Sequence, residues 1–166
     1  MARCGDVYEN KVTGERGAVL RGTEDNDGQP ARVHLIVQPR AGRLPASIFT
    51  RGSGRGSGSS PAGSGRAWTG VERTLTAGGE AVAVPGTWHD FWNPGEVDAH
   101  VLLELSPLDP RFEQMIGTMY GLANAGKTNA KGMPDLLQLA MTGREFQDVA
   151  QYARPPRAVQ RVGASF

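Results

Sequence analysis

The chain has 166 residues, with 18 Lys+Arg against 17 Asp+Glu and 39% hydrophobic residues. That length suffices for a buried core, and one domain is the default. The near-zero charge excludes a general electrostatic pull toward nucleic acid or membranes. No apolar run approaches a membrane span. The opening MARCGDVYEN lacks the apolar stretch of a signal peptide. Cys4 is the only cysteine, so no internal disulfide and no CxxC metal site can form. A reduced, cytoplasmic setting is expected.

The first third reads as strands. Residues 7–13 and 17–22 are short and β-compatible, and 24–29 (EDNDGQ) is a turn cluster. Residues 31–38 (ARVHLIVQ) form a strand with Val33, Leu35 and Val37 on one face. Strands resume at 71–76, 81–85 and 100–105, with turns at Gly78-Gly79 and Asn93-Pro94-Gly95. Between the two groups lies a different composition. Of the sixteen residues 51–66, six are Gly and five are Ser. Such a stretch behaves as flexible coil, so 50–66 is expected to be disordered or poorly packed.

After Ser106 the period changes. Asp109 before Pro110 is a helix start, an N-cap with Pro at the first helical position. Phe112, Met115, Ile116, Met119 and Leu122 follow at helical spacing. A second helix is predicted over 134–152, burying Leu136, Leu137, Leu139, Ala140, Phe146 and Val149, with Arg154-Pro155-Pro156 as its stop. Strands followed by helices predict a mainly β barrel or sandwich, residues 1–108, with a helical extension, 109–166, packed on it.

Residues 121–128 (GLANAGKT) match the phosphate-loop pattern GxxxxGKT. That chemistry needs the junction of a buried strand and a helix. Here a helix precedes the match and Pro134 soon follows. Gly126 reads instead as a helix C-cap.

The informative stretch is 78–93, GGEAVAVPGTWHDFWN. It resembles the second signature of the cupin superfamily, G-x5-P-x-G-x2-H-x3-N. Gly78, Gly86, His89 and Asn93 fall in place, and Pro85 stands one residue after the usual proline position, which Val84 holds. The resemblance implies a jelly-roll β-barrel, with His89 as a metal ligand and Asn93 holding a turn. The whole chain is similar to small single-barrel bacterial cupins with a helical tail. Trp88, Phe91 and Trp92 are candidates for lining the pocket mouth, although aromatic residues there serve equally as plain core.

Metal-dependent cupins also carry a first signature, H-x-H, three or four residues, Glu, six residues, Gly. Its place is held here by the Gly/Ser/Arg run, which has no His and no Glu. Codon degeneracy permits an explanation. In a shifted frame, the codons ending in Ile48 and Thr50 can read His, the one ending in Arg55 can read Glu, and the one ending in Ala62 can read Gly. The product is H-x-H-x4-E-x6-G. We therefore read residues 46–65 as a frame-shifted copy of the first motif, produced by two compensating shifts in the gene or in its recorded sequence. A native flexible insertion, an engineered linker and an RG-type nucleic-acid tail are the other readings. Three arginines are too few for the last.

Two function classes follow. Intact relatives would use three His and one Glu to hold a divalent metal (Fe, Mn, Ni or Zn) and act on a small molecule. The chain as written would be a non-catalytic or degenerate barrel with weak or absent metal binding. His34, His100 and Glu104 could substitute as ligands, but the strand pattern puts them opposite the apolar faces. A small-molecule ligand and a homodimer are expected, and nucleic acid and membrane partners are not.

Overall fold

The computed structural model describes residues 2–25, 27–39, 48–50, 53–58, 65–68, 72–107 and 109–152. In chain order the elements are β1 (Val7–Asn10), β2 (Glu15–Arg21), β3 (Ala31–Val37), β4 (Ile48–Thr50), β5 (Ser53–Gly58), β6 (Gly65–Trp68), β7 (Glu72–Leu75), β8 (Glu80–Ala83), β9 (Trp88–Trp92), β10 (Ala99–Ser106), α1 (Pro110–Asn124), α2 (Leu136–Glu145) and β11 (Ala150–Tyr152). One sheet runs β1-β2-β3-β10-β5-β8 and the other β11-β4-β9-β6-β7. All the pairings are antiparallel.

Alternation decides which side of the first sheet is core. Leu35, Val37 and Ala99 are buried together, with Val101 and Leu103 packed against them. Their register partners across β3 and β10 confirm one shared face: Leu35 opposes Val101 and Val37 opposes Ala99. The other face carries Arg32, His34 and Ile36 opposite Glu104, Leu102 and His100. That is the polar side the sequence pattern indicates.

The Gly/Ser-rich segment departs from the coil expectation. Residues 53–58 form β5 and pair with both β10 and β8. Glycine in a strand interior weakens it by roughly 0.5–1 kcal/mol per residue. Here that loss is opposed by a hydrogen-bond ladder on both sides, and by closing two strand edges that would otherwise stand open. β6 likewise sits between β7 and β9. Residues 51–52 and 59–64 of the same expectation lie outside the described residues.

The helical part needs two corrections. α1 begins as expected: the Asp109 carboxylate accepts from the Arg111 N–H at 2.9 Å, with Pro110 at the first position. The second helix is shorter than predicted. It ends at Glu145, and 150–152 form β11, paired with β4. Asp135 caps its start. Leu136 and Leu137 are exposed at 57% and 68%, because they occupy the solvent side of its first turn, while Leu139, Ala140, Phe146 and Val149 are buried as expected. The expected stop at 154–156 lies outside the described residues.

The phosphate-loop lookalike is a helix end. The Gly126 N–H donates to Ala123 O and the Lys127 N–H to Leu122 O, with Gly126 at φ +70°. This is the paired C-terminal cap that a left-handed glycine permits. No helix among the described residues is long and apolar enough to cross a membrane.

Candidate functional site

The site is built by two turns flanking β8. Gly78 and Gly86 both sit at φ +78°, where an L side chain is strained. Pro85 and Gly86 occupy the centre of a tight turn closed from Thr87, whose hydroxyl donates to Val84 O at 2.7 Å. Proline followed by a left-handed glycine suits that turn. β9 leaves it directly, so the turn aims His89.

Asn93 directly follows the last residue of the same strand and is fully buried. Its amide donates to Val37 O and to Val97 O, both at 2.8 Å, and its Oδ1 accepts from the Gly95 N–H at 2.9 Å. One side chain therefore closes the 93–97 turn and ties it to β3.

Along β9, His89 and Phe91 share one face, and Phe91 packs against the Leu35–Val37–Ala99 cluster. His89 is thus on the inner side of the two-sheet sandwich. Trp88 and Trp92 alternate to the other face, together with the buried Asp90. Burial holds the His89 imidazole below its ordinary range, partly opposed by the Thr87 carbonyl. The Thr87 oxygen lies 3.2 Å from Nδ1. A carbonyl only accepts, so Nδ1 carries the proton and Nε2 keeps its lone pair.

The register across β9 bears on the first motif. Ile48 is the Cα partner of His89, and Phe49 that of Trp88. Partners in a ladder have Cβ atoms about 4.5–5.5 Å apart. Position 48 is therefore where a residue meets His89, and position 50 follows on the same alternation. Arg55 falls out of step. It pairs with Glu104 and Val82 on the outer alternation, while Gly54 and Gly56 oppose Leu105 and Leu103, of which Leu103 packs against the core cluster. A ligand there would need a one-residue shift.

The donor set does not fit a four-ligand metal centre. His89 faces an Ile position, and no group of three His, Cys, Asp or Glu suited to a metal occurs among the described residues. The substitutes considered from sequence lie elsewhere. His34 and His100 meet each other across β3 and β10, with Nε2 and Nδ1 3.1 Å apart. Glu104 pairs with Arg32 at 2.6 Å.

Sequence reasoning missed a second buried polar group. Glu15 accepts from Thr13 Oγ1 at 3.1 Å and from Tyr120 OH at 3.3 Å. Burial pushes its carboxyl up, against the lowering effect of both hydrogen bonds. Burial beside Glu15 also raises the Tyr120 phenol. Tyr120 lies on the buried side of α1's pattern, but nothing local marks its partner, 105 residues away.

The architecture has solved counterparts. An RmlC-like cupin from Shewanella frigidimarina is 18% identical, with a TM-score of 0.51 over 65% of this chain and 88% of its own. KdgF from Halomonas sp. is also 18% identical, with a TM-score of 0.52 over 64% and 90%. This chain has the cupin fold. A Streptomyces protein solved with uridine is similar at 14% identity and a TM-score of 0.50, over 65% of this chain and 81% of that one. No protein-family model matches the chain, and no curated protein sequence does. The likeness to cupins is thus one of fold.

Proposed function

We propose that this chain is a small-molecule-binding cupin barrel that lacks the four-ligand metal centre of metal-dependent cupins. The observation that carries this reading is the register of Ile48 on His89. Isoleucine occupies the register position opposite His89, where a second imidazole would have to be. What remains is a half-buried neutral imidazole with a free acceptor geometry at Nε2, next to Phe91. Such a group can orient a ligand that donates a hydrogen bond. Reaction chemistry would need partners that the described residues do not supply at this point.

The test is metal retention. The purified chain should keep no tightly bound metal at His89. The variant I48H/T50H should gain affinity for Mn, Fe, Ni or Zn, and H89Q should remove that gain. A stoichiometric metal in the unmodified chain, lost on H89Q, would overturn the reading.

A second reading is favoured by the same register. If residues 46–65 are a frame-shifted first motif, the two histidines would arise next to position 89. The nucleotide sequence across codons 44–68 decides it. Codons that read His-x-His in the shifted frame make the intended protein a metal-binding cupin. Codons that forbid it make the Gly/Ser segment native.

A further inference from the structure

β1 is the outermost strand at one end of the first sheet. An edge strand turns a row of backbone N–H and C=O groups outward, ready to pair with another chain. Val7 is 51% exposed, and Glu9 and Lys11 are exposed too, so solvent reaches this edge.

One side chain occupies part of it. Asn124, the final residue of α1, donates from Nδ2 to Glu9 O at 2.8 Å. Its Oδ1 accepts from the Lys11 N–H at 3.0 Å. A carbonyl and the N–H two residues later are the pair of groups that one residue of a parallel neighbour strand engages. The Asn124 amide therefore stands in for one residue of a further strand. A carbonyl only accepts and an N–H only donates, so the two partners also fix which end of the amide is nitrogen.

The helix holds that amide in place. Tyr120, one turn earlier on the same face of α1, bonds Glu15 at the start of β2 at 3.3 Å. A β-carbon on Gly117 would lie 3.9 Å from the Tyr8 ring. Tyr8 opposes Gly17, and Glu15 shares the Gly17 side of β2, so both contacts lie on one face of the hairpin. α1 packs on that face, and from its last turn Asn124 reaches round to the edge. Beyond Asn10 the strand ends in a turn, where the Asn10 side chain accepts from the Val12 and Thr13 N–H groups. The amide thus sits at the end of the stretch that an incoming strand can use.

We propose that Asn124 is a plug, whose amide closes the β1 edge against strand addition by a second copy of this chain, β1 on β1 about a two-fold axis. A second copy brings the same short edge with the same exposed valine, and the two-fold axis satisfies both edges at once. To pair, each wild-type copy must first give up two amide hydrogen bonds. A chain without the plug gives up none. The plug stands apart from His89 and does not rest on the reading of that site.

The test is sedimentation velocity on the full chain over a concentration series, with the wild type as baseline. N124A should self-associate at concentrations at least about tenfold lower than wild type, the worth of hydrogen bonds no longer surrendered. V7K/N124A should lose that gain, because lysine on a short edge opposes pairing. Should N124A fail to fold, N124S, which also lacks the amide, takes its place. A plugless variant that assembles no more readily than wild type, or whose assembly V7K leaves intact, would overturn the proposal.

Discussion

Replacing Asn93 by Ala tests whether the 78–93 segment is built as a unit. The side chain makes three hydrogen bonds at 2.8–2.9 Å and has no exposed surface. Truncation leaves two carbonyls and one N–H to find other partners in a dry place. Each orphaned group costs about 1–3 kcal/mol, and the three share one side chain, so a total of roughly 3–5 kcal/mol is expected. For a chain of this size 1 kcal/mol moves the melting temperature by about 2–4 °C. The N93A midpoint should therefore fall by roughly 6–20 °C in thermal denaturation followed by circular dichroism. N93D sharpens the argument. It keeps the acceptor for Gly95 but turns a carboxylate oxygen toward two carbonyls, so it should be worse than N93A at neutral pH and recover as the solution is acidified. A loss under about 1 kcal/mol in N93A, or an N93D no worse than N93A at neutral pH, would refute the claim that these bonds hold the turn to β3.

Gly78 sits at φ +78° with open space for 4 Å around the point a β-carbon would take, so G78A isolates backbone strain; a loss of about 1–2 kcal/mol in chemical denaturation is expected. L139A should cost about 2–5 kcal/mol, since Leu139 is buried against Met119. L137S, at an exposed position, should stay within about 0.5 kcal/mol in the same assay. The Glu15 carboxyl is raised in the fold. Its contribution is therefore present at low pH and lost as pH rises through its folded value. E15Q should match wild type below about pH 4 and become the more stable of the two at higher pH, read as denaturation midpoints against pH.

The turns were the most legible part of the fold. Gly78, Pro85, Gly86 and Asn93 each answer a local demand, a positive φ, a fixed φ or a turn-closing side chain, and such demands show in one sequence. The alternation in 31–38 gave the core face of β3 for the same reason. β5 was illegible. Its residues have low strand propensity, and its pairing comes from β10 and β8, nearly fifty and about twenty-five residues away in the chain. The end of α2 was misjudged because 146–152 keeps apolar residues while changing period, so Phe146 and Val149 suit either a helix or the path into a strand. The His34–His100 contact was half legible. Each residue showed its polar face, but the register that brings them together is a property of two strands 66 residues apart.

The pairing of Ala150 with Thr50 sets a timetable for the nascent chain. β4 leaves the ribosome about a hundred residues before the strand that flanks it. At about 5–20 residues per second, that interval is roughly 5–20 s. Through it, β4 can be flanked on one side only, by β9. During that time the strand beside His89 is open to capture by chaperones or by another nascent copy, and the second sheet is sealed only once residues 150–152 have emerged.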